Sequence, residues 1–282
     1  MKIAYKPDLS GKTAVVTGGA GVLCSEFCRA YAECGAKVAV LGRTYEKAER
    51  LASEIRASGG QAMAVSADVT SPEQLAEAHE KIKEKFGSCS VLVNGAGGNS
   101  PAATTSDEFF SPGAEGITDG KTFFDLDPSA FGKVFSLNIT GTVLATQEFA
   151  KDMTAGGGCI INISSMNAFT PLTKIPAYSA AKAGVSNFTE WLAVYFAGTG
   201  IRCNAIAPGF FLTEQNRTLL TNPDGSLTPR SGKILAATPM GRFGRPEELI
   251  GTLLFLTDDA ASGFITGTVI PVDGGFRAYS GV

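Results

Sequence analysis

The chain of 282 residues has one histidine, His79, and one tryptophan. A single imidazole weighs against a histidine-ligated zinc centre and against a mechanism with histidine as its base. The six cysteines, Cys24, Cys28, Cys34, Cys89, Cys159 and Cys203, include no C-x-x-C pair, which removes the commonest zinc and dithiol-redox patterns. No metal site is expected. The N-terminal stretch Met1 to Asp8 lacks an apolar centre, and no apolar run is long enough to cross a bilayer. These absences describe a cytoplasmic protein whose reduced thiols serve as packing residues. A formal net charge of −3 offers no basic face to nucleic acid. Ser/Gly linkers, repeats and charged low-complexity runs are also missing. With 44% hydrophobic residues, the length fits one large core, read as a single domain over 1–282.

What is present is alternation. Short apolar runs near 13–17, 37–41, 62–67, 91–95, 159–164, 202–206 and 268–272 read as strands, with helical periodicity between them. That pattern predicts an α/β fold, a doubly wound parallel sheet with helices on both faces and ligand at the carboxyl ends of the strands. Two segments break the rhythm. Residues 98–128 are too long for an ordinary βα connection and carry Phe109-Phe110 and Phe123-Phe124; they read as a loop insertion that either covers substrate, the favoured reading, or is an ornament packed by its phenylalanines. Residues 210–230 include the turn Asn222-Pro223-Asp224-Gly225 and read as a lid. His79, in a helix that starts at Ser71-Pro72-Glu73, reads as an exposed helical residue.

The chemistry centres on Tyr178 and Lys182, whose spacing sets them on one helix face, a turn apart. A free phenol titrates near ~10, and a neighbouring ammonium favours the phenolate, which equips Tyr178 for proton transfer. Upstream, the run Ile160 to Ser165 is an apolar strand ending in hydroxyls. Near the N-terminus, Gly18-Gly19-Ala20-Gly21 joins a buried strand to a helix from Val22, as a pyrophosphate cradle requires. Each feature alone has a plain alternative: a solvated lysine beside a packed tyrosine, a strand-end cap at Ser165, a turn at the glycines, a kink at Asn138.

The order and spacing of Gly18 to Gly21, Asn138, Ser165 and Tyr178-x3-Lys182 resemble the short-chain dehydrogenase/reductase family. The resemblance implies a Rossmann-type sheet of seven strands in the order 3-2-1-4-5-6-7, NAD(P)(H) as cofactor, a small-molecule alcohol or ketone as substrate, and a homotetramer or homodimer. It makes Asn138, Ser165, Tyr178 and Lys182 catalytic. Tyr178 would exchange the proton, Lys182 would lower its pKa and hold the nicotinamide ribose, Ser165 would bind the reacting oxygen, and Asn138 would hold a relay water. Gly18, Gly21, Val22 and Leu23 would meet the pyrophosphate. Asp68, Val69, Asn94, Ala96 and Gly97 would flank adenine and ribose, and Tyr178, Lys182, Pro208, Gly209 and Thr213 the nicotinamide end. Arg43 replaces the acid that would bind a ribose 2′-OH, which favours NADP slightly over NAD.

Two departures from the family pattern stand out. Val22 and Cys24 occupy the second and third glycine places of Thr-Gly-x3-Gly-x-Gly, so that Gly21 is expected to make the turn instead, and Asn94-Gly95-Ala96-Gly97 replaces Asn-Asn-Ala-Gly. A narrower resemblance, in Gly18 to Cys24, Asn94 to Asn99, Phe123 to Leu126, Gly209 to Thr213 and the tail Gly274 to Val282, points to the D-mannonate oxidoreductase (fructuronate reductase) branch. It implies a hexonate or hexuronate substrate, held by Asn99, Ser165, Lys174 and Tyr178. Other sugar-acid or polyol dehydrogenation, 3-oxoacyl reduction, and a silent dinucleotide-binding regulator stay open at this point.

Overall fold

A computed structural model describes residues 3, 5–112, 120–212, 220, 222, 224 and 226–281. Seven strands, β1 (Thr13–Thr17), β2 (Lys37–Gly42), β3 (Gln61–Ser66), β4 (Val91–Asn94), β5 (Gly158–Ile163), β6 (Ile201–Pro208) and β7 (Val269–Val272), form one sheet in the order β3-β2-β1-β4-β5-β6-β7. Every pairing is parallel. This is the doubly wound Rossmann-type arrangement expected.

Both faces of the sheet are covered, which is why β1 is apolar and buried throughout rather than alternating with polar residues. Its side chains still alternate in direction. Ala14 and Val16 enter a core with Phe27 and Tyr31 of α1 (Val22–Glu33), α2 (Tyr45–Ala57) and α8 (Ile250–Thr257), whereas Val15 faces Leu75 and Ile82 of α3 (Pro72–Phe86). The second core also receives α5 (Gly141–Phe149) and the end of α6 (Pro176–Tyr195). A smaller cluster joins α4 (Pro128–Phe135) to the start of α6 through Ala130, Val134, Ala177 and Ala181. α7 (Pro229–Ala236) follows β6.

His79 departs from expectation. It is only 4% exposed. Its Nδ1 lies 2.8 Å from Glu148 Oε1 and its Nε2 2.8 Å from Asp152 Oδ2, and its ring meets Phe149 edge-on at 5.2 Å. The residue sits four after Leu75 and three before Ile82, on the inward stripe of α3. Burial is tolerated because both ring nitrogens find carboxylates from the far side of the α3/α5 contact.

The long loop is tied down beside the start of α6. Thr105 N–H donates to the Lys174 carbonyl at 2.9 Å, and the Lys174 ammonium donates to the Ser106 carbonyl at 2.6 Å. Its aromatic residues stay exposed and pair edge to face, Phe110 with Phe124 at 5.7 Å and Phe123 with Phe124 at 5.8 Å. Most of 213–225, including Thr213, lies outside the described residues. No helix among the described residues is long and apolar enough to cross a membrane.

Candidate active site

The carboxyl ends of β1, β4, β5 and β6 open onto one cleft of about 400 Å³, lined by Gly18, Val22, Gly97, Tyr178, Lys182 and Phe210 among others. Glycine backbone forms much of its floor. At Gly18 the chain turns with φ +63°, and a Cβ there would lie 2.9 Å from the Ala96 Cα, so both conformation and space demand glycine. Gly21 does not make the turn as expected: it caps α1 with an ordinary extended φ of −73° and donates its N–H to the Gly18 carbonyl at 2.8 Å. The turn belongs to Gly18. Val22 and Leu23 begin the helix beside it, with their main-chain amides at its positive end.

Cys24 and Gly95, from the two departures from the family pattern, meet in space. A Cβ on Gly95 would lie 2.3 Å from Cys24 Sγ, so the cysteine on α1 occupies the room that a larger residue at 95 would need. The helix thiol fills the space at the strand end that a side chain at 95 would take. Thr17, which sequence reasoning passed over, braces the same turn: its hydroxyl accepts from the N–H groups of Gly95 and Ala96 at 3.1 and 3.2 Å.

Farther along the sheet, Arg43 is exposed just beyond β2 and makes no ion pair among the described residues. Asp68 spends Oδ1 on the Thr70 N–H and hydroxyl, at 2.9 and 2.7 Å, which holds its carboxyl below the usual range; Oδ2 has no hydrogen-bond partner among the described residues. The Val69 side chain is core, packed against Gly141 of α5, so its main chain alone can face a ligand. Asn94 is buried as well, its amide donating to Thr146 Oγ1 and Asn162 Oδ1 at 2.9 and 2.8 Å. Gly209, after Pro208, runs so close to Asp273 that a Cβ would lie 2.6 Å from the Asp273 Cα.

Ser165, Tyr178 and Lys182 converge. The hydroxyl of Ser165 accepts from the Asn167 N–H at 3.2 Å and stands near enough to the Tyr178 phenol to favour its ionised form. The Lys182 ammonium is buried, donates to the Ile163 carbonyl at 2.7 Å and lies 5.7 Å from the centre of the Tyr178 ring. Burial lowers its pKa to about 8. Burial also raises the Tyr178 phenol, opposed by the Ser165 hydroxyl. The sequence reading had Lys182 drawing that phenol down; here desolvation is the largest effect, and the ammonium, 5.7 Å from the ring centre, makes no hydrogen bond to the phenol.

Asn138 stands in a π-helical turn, Ser136–Thr140, between α4 and α5. Its Nδ2 donates to the carbonyls of Gly98 and Val134, both at 2.8 Å, and its Oδ1 accepts from the Gly98 N–H at 3.3 Å. A Cβ on Gly97 would lie 2.6 Å from Asn138 Oδ1 and 3.2 Å from Lys182 Nζ. Asn138 therefore clamps the β4 turn beside the lysine. The expected substrate residues are more dispersed. Asn99 turns its amide to Thr104 Oγ1 at 3.1 Å, while Thr104 and Lys174 line a second cavity of about 440 Å³ that shares Phe210 with the cleft.

A cleft floored by glycine backbone at a helix N-terminus, with neighbouring Ser and Tyr hydroxyls and a buried lysine, fits a nicotinamide dinucleotide beside a proton-transfer group. Comparison with known proteins agrees. The short chain dehydrogenase family model matches residues 12–224. An uncharacterized oxidoreductase, UxuB, of Bacillus subtilis is 56% identical over 99% of this chain and 100% of its own length. An uncharacterized oxidoreductase of Haemophilus influenzae is 54% identical over 100% of this chain and 99% of its own. A crystal structure from Haemophilus influenza, provisionally named D-mannonate oxidoreductase and holding NAD, superposes with a TM-score of 0.94 at 53% identity, covering 98% of each chain. With the family pattern spanning most of its length and relatives matching it end to end, the chain belongs to the short-chain dehydrogenase family, whose members are NAD(P)-dependent oxidoreductases.

Proposed function

We propose that this protein interconverts D-mannonate and D-fructuronate. The observation that carries the reading is the end-to-end likeness, at 53% identity, to the NAD-holding structure provisionally named for that activity. The neighbouring Ser165 and Tyr178 hydroxyls beside buried Lys182 support the chemistry.

The nicotinamide, when bound, supplies or accepts the hydride. In reduction, the Ser165 hydroxyl and the Tyr178 phenol both donate to the substrate carbonyl oxygen, and the phenol proton passes to that oxygen as it gains negative charge. In oxidation the proton returns to Tyr178. A phenol raised by burial keeps its proton at neutral pH, which suits it to donate. Lys182 holds the nicotinamide ribose and, as an ammonium, stabilises the phenolate once the proton has left. Asn138 fixes Gly97 and Gly98 against Lys182 and, in this reading, holds the relay water. Gly18, Gly21, Val22 and Leu23 hold the pyrophosphate. Asp68, the main chain of Val69, Asn94, Ala96 and Gly97 flank adenine and ribose. Pro208, Gly209 and Thr213 meet the carboxamide. Arg43, exposed after β2, can pair with a 2′-phosphate, which favours NADP slightly over NAD.

The enzyme acts in this reading as a cytoplasmic homotetramer or homodimer. Six unpaired cysteines support a reducing compartment. On α6, Leu192 is buried, whereas Trp191 and Tyr195 are 55% and 66% exposed and stack at 4.8 Å, a face suited to a second copy. Initial rates from NAD(P)H absorbance, with D-mannonate and D-fructuronate against other hexonates, hexuronates, polyols and 3-oxoacyl thioesters, test the assignment. Turnover of another class at a higher kcat/KM overturns it.

A further inference from the structure

The cavity of about 440 Å³ next to the cofactor cleft has an uneven charge. Three cations, Lys174, Arg230 and Lys233, line it against one carboxylate, Glu108. Two of the three are engaged: Lys174 by the Ser106 carbonyl at 2.6 Å, and Lys233 by Glu108 Oε1 at 2.8 Å. Arg230 makes no hydrogen bond or ion pair among the described residues. Its place is also unfavourable to itself, because it stands in the first turn of α7, where the helix field attracts anions and repels cations, and no acid accompanies it there. A planar guanidinium and a helix N-terminus then bear on the same cavity, and both favour an anion.

The location fits a substrate. Phe210 is common to this cavity and to the cleft that holds Tyr178, and Ile175, three residues before Tyr178, forms part of its wall. A carbonyl held at Tyr178 would leave the rest of a short polyhydroxy chain to extend past Phe210, towards the hydroxyls of Thr104 and Thr173. We infer that Arg230 reads the substrate carboxylate, with Lys233 and Glu108 as the paired rim that positions α7 against the long loop. This inference rests on the sugar-acid reading above, and extends it by assigning the residue that separates an acid from a neutral polyol of equal length.

The test is binding to NADH-saturated protein, by calorimetry or ligand-observed nuclear magnetic resonance. The probes are three hexonates, D-mannonate, D-gluconate and D-galactonate, and their alditols, D-mannitol, D-glucitol and galactitol. Each acid is expected to bind more tightly than its alditol, and Arg230→Gln should cut that preference by about 10- to 100-fold, the range of a charge-assisted hydrogen bond. Arg230→Lys should restore part of it, since charge survives while the planar fork is lost. Both substitutions are on an exposed helical position, and unchanged circular dichroism verifies their fold. No acid preference in the parent, or a preference that Arg230→Gln leaves intact, overturns the inference. An Arg230-dependent preference in a protein that binds another hexonate but neither binds nor oxidises D-mannonate supports the inference and removes D-mannonate alone.

Discussion

The exchange between Cys24 and Gly95 makes a quantitative prediction. Gly95→Ala would set a carbon 2.3 Å from Cys24 Sγ and 2.9 Å from the Thr17 carbonyl oxygen. Heavy atoms rest about 3.5–4 Å apart at their optimum, so the thiol would have to withdraw by more than about 1 Å. Cys24 is 5% exposed and has little room to do so. Overpacking of this kind costs about 1–3 kcal/mol, and two close contacts argue for the upper half of that range. Cys24→Gly alone should cost about 1 kcal/mol from the glycine in a helix, and somewhat more for the lost burial of the sulfur. In the double variant the sulfur contact is gone while the Thr17 contact remains. The double variant should therefore be about 1–2 kcal/mol more stable than the two single effects added together, a coupling of the size seen between touching residues. Urea unfolding of the cofactor-free protein, with m compared across the four proteins, measures it. Additivity within about 0.5 kcal/mol, or a Gly95→Ala protein as stable as the parent, would refute the idea that the two positions exchanged volume.

Further outcomes follow from the site. Tyr178→Phe should keep the cofactor affinity within a few-fold and lose at least ~10²-fold in kcat, since the ring still packs while the transferable proton is absent; turnover close to the parent's would sink the assignment. Arg43→Ala should raise KM for NADP and spare that for NAD, and an equal effect on both would leave Arg43 a surface charge. Lys182 has a folded pKa of about 8, below its ordinary 10.5, so its burial penalty is fully present below pH 8 and is relieved as pH rises from 8 towards 10.5, where the folded chain has released the proton and the unfolded chain has not. In urea unfolding, the parent should therefore gain stability relative to Lys182→Met between pH 7 and pH 10; a constant difference contradicts a depressed pKa. Trp191→Glu should lower the mass found by light scattering, and an unchanged oligomer would remove α6 from the contact.

Most of the sheet was readable because strands buried on both faces are near-continuous apolar runs, punctuated by glycine where the chain reverses. The Tyr178-x3-Lys182 pair was readable for a similar reason: helical spacing alone decides which residues share a face. What escaped depends on contacts between distant segments. The inward place of His79 follows from its stripe on α3, yet its acids come from Glu148 and Asp152, 69 and 73 residues away, and the chain near His79 gives no sign of them. The Cys24/Gly95 exchange could have been suspected only by treating two departures from one pattern as a pair. At Gly18 and Gly21 the residue type was right and the division of labour wrong, because either glycine can adopt the left-handed turn and only the approach of Ala96 decides between them. Lys174, with φ +73° and its ammonium against Ser106, is a fastening for the long loop, a role that depends on where that loop folds back.

All six cysteines are buried and unpaired. Burial pushes the thiols of Cys34 and Cys159 up to about 11 and that of Cys24 to about 12, so the reactive thiolate is scarce at neutral pH. An alkylating reagent can then reach them chiefly when the fold opens, which makes the chain its own clock for local unfolding. The clocks sit in different places: Cys24 lines the cofactor cleft, Cys89 precedes β4, and Cys159 and Cys203 lie within β5 and β6. Mass spectrometry of labelled peptides over time would rank how often each region opens, and dinucleotide should slow the Cys24 clock more than the other five.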